Sequence, residues 1–110
     1  DGTARAAGCR VELEIRPGYP VTVNDTEAVE RVRRAGSAAL GPERVVESPP
    51  LAASEDFAYF LREIPGAFAL LGAGDPERGT DAPHHSSRFD FDEAVLPRGA
   101  EILARLALDD

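Results

Sequence analysis

From Cys9 to Ile15 the side chains alternate, with Cys9, Val11, Leu13 and Ile15 on one side and Arg10, Glu12, Glu14 and Arg16 on the other. A period of two marks a strand with one buried and one wetted face, as in an antiparallel sheet. Pro17-Gly18-Tyr19-Pro20 then halts regular structure, because two residues lack an amide donor and Gly18 opens turn conformations. This stretch reads as a hinge between residues 1–18 and residues 19–110. Beyond it, Asn24-Asp25-Thr26 supplies capping side chains, and Ala28, Val29, Val32, Ala35 and Ala39 recur at helical spacing. The pattern predicts an amphipathic helix over 26–40, stopped by Gly41-Pro42.

Arg44 to Glu47 suits a short strand. Ser54 can cap a second helix whose first turn holds Glu55 and Asp56, acids that complement the positive end of the helix dipole. Phe57, Phe60, Leu61 and Ile64 form its apolar side, and Pro65-Gly66 ends it. Ala67 to Leu71 is continuously apolar, as in a strand covered on both faces. It opens through Gly72-Ala73-Gly74 into a polar loop from Asp75 to Asp90, and helical spacing returns from Ala94 to Leu108, with Pro97 tolerable near a first turn. Strands and helices alternate from residue 20 onward, which predicts an α/β layer fold.

With 110 residues, 43% of them hydrophobic and 29% charged, the chain is sized for one core. The net charge of -8 sets 20 acids against 12 basic residues, all of them Arg. Nucleic-acid partners and anionic membrane surfaces both demand a basic footprint and are disfavoured. Without lysine, amine chemistry is excluded from this segment. Cys9 has no partner for an internal disulfide and behaves as a small hydrophobe on its strand, and no apolar run approaches the ~18 residues of a membrane span. These features fit a reducing, cytoplasmic compartment. The opening Asp1 places the natural start, and any leader, upstream and out of view.

Candidate chemistry concentrates in Ala82-Pro83-His84-His85-Ser86-Ser87-Arg88-Phe89-Asp90-Phe91-Asp92-Glu93, a loop that follows the apolar strand and leads into a helix. Loops at strand ends are where α/β proteins place their sites. A neutral imidazole is the commonest metal ligand, but adjacent histidines point apart, so at most one of His84 and His85 serves a given centre. Read locally, the pair suits a solvated or structural loop better than a site. Glu55 is a second candidate, for orienting a ligand or touching substrate, although capping explains it locally. Asn24 has the same two readings. Gly72-Ala73-Gly74 lacks the spacing and the following Lys of a phosphate loop and reads as a tight turn.

Taken in order, Tyr19-Pro20-Val21-Thr22-Val23-Asn24-Asp25, Ser54-Glu55-Asp56-Phe57-Ala58, Pro65-Gly66-Ala67-Phe68, Leu71-Gly72-Ala73-Gly74 and His85-Ser86 with Phe89-Asp90-Phe91-Asp92-Glu93 resemble the C-terminal end of the M20 metallopeptidase family. Within it they look like the amidohydrolase branch of N-acyl-amino-acid, hippurate and auxin-conjugate hydrolases. The likeness runs along nearly the whole chain. It implies a catalytic α/β domain with two divalent metals, Zn or Mn, interrupted by a lid domain through which the protein dimerises. Residues 1–18 correspond to the end of that lid, and residues 19–110 to the returning half of the catalytic domain.

The resemblance places the family's last metal-binding histidine at His85, and His84 falls where the family often has an apolar residue. Ser87 stands where Pro is frequent and Ala53 where Gly is frequent, which loosens the loop geometry. Cys9 is not the branch's Cys ligand, which lies upstream with the other ligands and the catalytic Glu. Asn24, Glu55 and His84 are left as candidates for substrate contact or ligand support. The implied reaction is attack of a metal-activated water on the amide carbonyl of an N-acyl amino acid or similar conjugate. One imidazole cannot complete a dinuclear centre, so the 110-residue stretch alone is expected to be inactive. Two alternatives are a non-catalytic binding relative that kept the fold and lost the centre, and a plain α/β domain whose matches arise by chance.

Overall fold

A computed structural model describes residues 2–108. Its helices are α1 (Gly2–Ala6), α2 (Thr26–Leu40), α3 (Phe57–Glu63) and α4 (Leu96–Leu108). Single 3₁₀ turns lie at Pro42–Arg44, Pro76–Arg78 and Glu93–Val95.

Helix α2 spans the residues its spacing predicts. Asp25 is its N-cap, accepting a hydrogen bond from the Ala28 amide at 2.9 Å and so satisfying one of the amides a first turn leaves without a partner. Gly41 ends it at φ 97, a backbone region that a side chain disfavours. The helix packs on α4, and an Arg31 Nη2–H donates to the Leu106 carbonyl at 3.1 Å, satisfying one of the free carbonyls at the end of α4. Gly36 is buried under Val45, whose Cγ2 lies 3.3 Å from where a Cβ would stand, so a side chain there would press on that contact.

Helix α3 begins later than its capping sequence predicts. Ser54 does not cap it; Glu55 Oε1 accepts from the Phe57 amide at 3.0 Å instead. Phe57 stacks at 5.7 Å against both Phe60 and Phe68, and Tyr59 meets Tyr19 edge-on at 5.9 Å. These ring pairs tie the hinge, α3 and the apolar run 67–71 into one patch.

No strand forms among the described residues. The segments read as strands at 9–15, 44–47 and 67–71 lack a ladder, and a strand exists only through the neighbour that completes its hydrogen bonds. In place of a ladder, the Asn24 carboxamide pairs with the backbone of Phe68, donating to its carbonyl at 3.1 Å and accepting from its amide at 2.8 Å. The next amide, Asp25 N–H, donates to the Gly66 carbonyl at 2.9 Å.

The core is correspondingly thin: Ala35 and Ala58 are its buried hydrophobic side chains among the described residues. Val21, Ile15, Leu13 and Leu70 are between 60% and 83% exposed. The radius of gyration is 19.9 Å, against about 13 Å for a compact chain of this length. Large apolar side chains are thus left exposed over an elongated body, a pattern that marks an interaction surface.

Candidate metal centre

The His84-His85 loop is built from two consecutive β-turns. In the first, the Ser86 amide donates to the Pro83 carbonyl at 3.2 Å; in the second, the Phe89 amide donates to the Ser86 carbonyl at 3.0 Å. Ser86 Oγ also accepts from the Arg88 amide at 3.1 Å, stiffening the join. His84 and His85 are the central residues of the first turn.

His85 has φ 66 and is the non-glycine residue at positive φ among the described residues. Positive φ at the second central position alone is the signature of a type II turn, which favours Gly or Asn there. An ordinary side chain in that position costs about 1–3 kcal/mol. A turn that would be relaxed with glycine instead carries an exposed imidazole.

His84 is also exposed, but its ring is engaged. It meets Phe89 edge-on, with centroids 5.0 Å apart and planes at 83°, and Phe89 in turn lies 6.4 Å from Phe91. Such a pair contributes about 0.5–1.5 kcal/mol beyond its area, comparable to the cost of the His85 backbone. His84, Phe89 and Phe91 line one wall of a cleft of about 280 Å³, and Leu70, Leu71 and Gly72–Gly74 line the other. Asp92 fastens the loop to that second wall: its amide donates to the Ala73 carbonyl at 2.8 Å.

Arg78 supports the same end of the molecule, with Nη1 at 2.9 Å from Asp92 Oδ1 and Nε at 3.4 Å from Asp75 Oδ2. Both carboxylates also hold local turns, Asp75 through the Glu77 amide and Asp92 through the Ala94 amide. Asp75 and Asp92 therefore already have partners. Sequence reasoning missed this bridge and the double turn. The Asp-Pro-Glu-Arg-Gly run at 75–79 signals a capped turn, but nothing in the sequence couples Arg78 to Asp92.

The remaining candidates sit elsewhere. Both polar atoms of the Asn24 side chain are occupied by Phe68, and Glu55 is occupied by the start of α3. Phe68 links these two through its ring contact with Phe57, at the opposite end of the 66–74 segment from the cleft wall. No hydrogen bond joins Asn24 or Glu55 to either histidine among the described residues. Nor does any group of three or more His, Cys, Asp or Glu side chains there have the geometry to hold a metal ion. The donor set fits a metal as one imidazole ligand and no more.

The model of Peptidase family M20/M25/M40 matches residues 3–109. IAA-amino acid hydrolase ILR1-like 2 of Arabidopsis thaliana is 38% identical over 104 residues, covering 91% of this chain and 24% of that protein. Thermostable carboxypeptidase 2 of Saccharolobus solfataricus is 38% identical over 102 residues, covering 93% of this chain and 25% of its own length. The chain thus spans about a quarter of the length of these curated relatives. No solved structure matches it.

Proposed function

The chain belongs to peptidase family M20/M25/M40, and on that premise we propose that it is the C-terminal part of a metal-dependent amidohydrolase releasing an amino acid from an N-acyl or similar conjugate. The relatives' names support the bond type, since an IAA-amino acid hydrolase and a carboxypeptidase both cut an amide that carries an amino acid. In this reading residues 1–18 close a lid domain through which the protein dimerises. Residues 19–110 return to a catalytic α/β domain whose sheet takes in the extended segments around Val21–Val23 and 67–71. The exposure of Val21, Val23 and Leu70, at 83%, 69% and 60%, is what an incomplete sheet leaves behind.

The observation that carries the proposal is His85 at positive φ in the double turn. Two divalent ions, Zn²⁺ or Mn²⁺, when bound, would supply acidity to a water at neutral pH and polarise the scissile carbonyl. His85 would hold one of them as a neutral imidazole. The turns on either side of Ser86 carry it at the surface of the loop, and Asp92 anchors the loop to the wall at Ala73. The general base and the remaining ligands are contributed by the rest of the protein. Asn24 secures the segment that ends in the cleft wall, and contact with substrate is left to other residues.

The test is hydrolysis of a panel of N-acetyl, N-benzoyl and indole-3-acetyl amino acids by the full-length protein, before and after chelation. Activity should vanish on metal removal and return with Zn²⁺ or Mn²⁺. Full turnover by metal-free protein would refute metal dependence. Metal binding with no turnover on any amide would favour a non-catalytic binding relative.

A further inference from the structure

The double turn that presents His85 is closed by a contact that ligation does not require. Two successive reversals, Pro83 to Ser86 and Ser86 to Phe89, fold the chain back so that the Phe89 and His84 rings meet near-perpendicular, centroids 5.0 Å apart at 83°. Phe89 is itself placed by Phe91 at 6.4 Å, and beyond Phe91 the backbone is pinned by the bond from Asp92 to Ala73. His84 therefore leans on an anchored wall. Its neighbour His85 holds the disfavoured φ of 66, and a single bond at 3.2 Å across an exposed turn does little to prevent relaxation to negative φ.

We propose that His84 is a positioning residue: its ring, held in a T-shaped contact with Phe89, keeps the first turn closed and so sets the imidazole of His85 for its metal. His84 acts as an aromatic ring and not as a nitrogen donor. This rests on the reading of His85 as a ligand.

The experiment measures Zn²⁺ affinity of the full-length protein by chelator competition, for the wild type and for His84→Ala, His84→Phe, Phe89→Ala, the His84→Ala/Phe89→Ala double variant and His85→Ala. Loss of one aromatic contact predicts affinity about fivefold to tenfold weaker for His84→Ala and for Phe89→Ala. The double variant should be no weaker than either alone, since both remove one contact. His84→Phe, which keeps the ring and discards the nitrogens, should bind within about twofold of wild type. His85→Ala should lose the site.

His84→Phe as weak as His84→Ala would show that the imidazole nitrogens are needed and would overturn the proposal. Unchanged affinity in His84→Ala would overturn it too, while leaving His85 as ligand if His85→Ala still loses the metal. Unchanged affinity in His85→Ala would sink the ligand reading itself.

Discussion

Separating this chain from the rest of its protein is a perturbation whose outcome follows from surface area. A folded protein of 11.7 kDa exposes about 5,900 Å². The chain exposes 9499 Å², roughly 3,600 Å² more than such a domain. Against an unfolded chain of about 17,000 Å² it buries roughly 44%, where a self-sufficient domain of this size buries nearer 65%. The shortfall includes large apolar side chains, since Val21, Leu13, Ile15, Val46 and Leu108 are each more than 75% exposed. With conformational entropy opposing order at every residue, so little burial leaves no surplus for a cooperative fold. The isolated 110-residue chain should show helical far-ultraviolet dichroism, dye binding to exposed apolar surface and a broad, featureless urea profile. A sharp sigmoidal transition in a monomer, with no dye binding, would refute the reasoning.

Other consequences concern single residues in the full-length protein. Asn24→Ala removes two hydrogen bonds to Phe68, which at an exposed site predicts about 1–2 kcal/mol less stability by urea titration. Asn24→Asp, which sets an acceptor against the Phe68 carbonyl, should be no better, and a raised KM with unchanged stability would mark Asn24 as a substrate contact instead. The Glu101 carboxyl is held below its ordinary value first by its hydrogen bond with Arg105, at 2.8 Å, and then by Arg98. A depressed carboxyl contributes stability above its unfolded value and loses it as pH falls through the folded one. The Glu101 titration followed by NMR should therefore have its midpoint below that of an ordinary glutamate and move up in Arg105→Ala; an unmoved midpoint would contradict the pairing.

The parts of the fold legible in the sequence are those that local chemistry decides. Helix α2 is marked by Asp25 in front, apolar residues at helical spacing within and Gly41-Pro42 behind, and it spans Thr26–Leu40 as that pattern predicts. Helix α4 is equally local but begins at Leu96; Ala94 and Val95, where helical spacing starts, wind in the 3₁₀ turn Glu93–Val95 under the Asp92 cap. The segments read as strands at 9–15 and 67–71 are legible as apolar patterns but form no strand among the described residues, because a ladder depends on neighbours that local pattern does not specify. At the site, the sequence marks the histidine loop and the resemblance selects His85. Neither shows that His85 has positive φ, which belongs to the first of two turns that share Ser86. Asn24 was legible as a polar residue at a helix start, yet Asp25 is the cap, and the distant bonds of Asn24 to Phe68 have no local signature.

The central claim, that His85 is one ligand of a metal centre completed by the rest of the protein, is tested most directly by counting metal. Elemental analysis of purified full-length protein should find close to two divalent ions per subunit in the wild type and in His84→Phe, and at most about one in His85→Ala. Equal metal content in wild type and His85→Ala would contradict it.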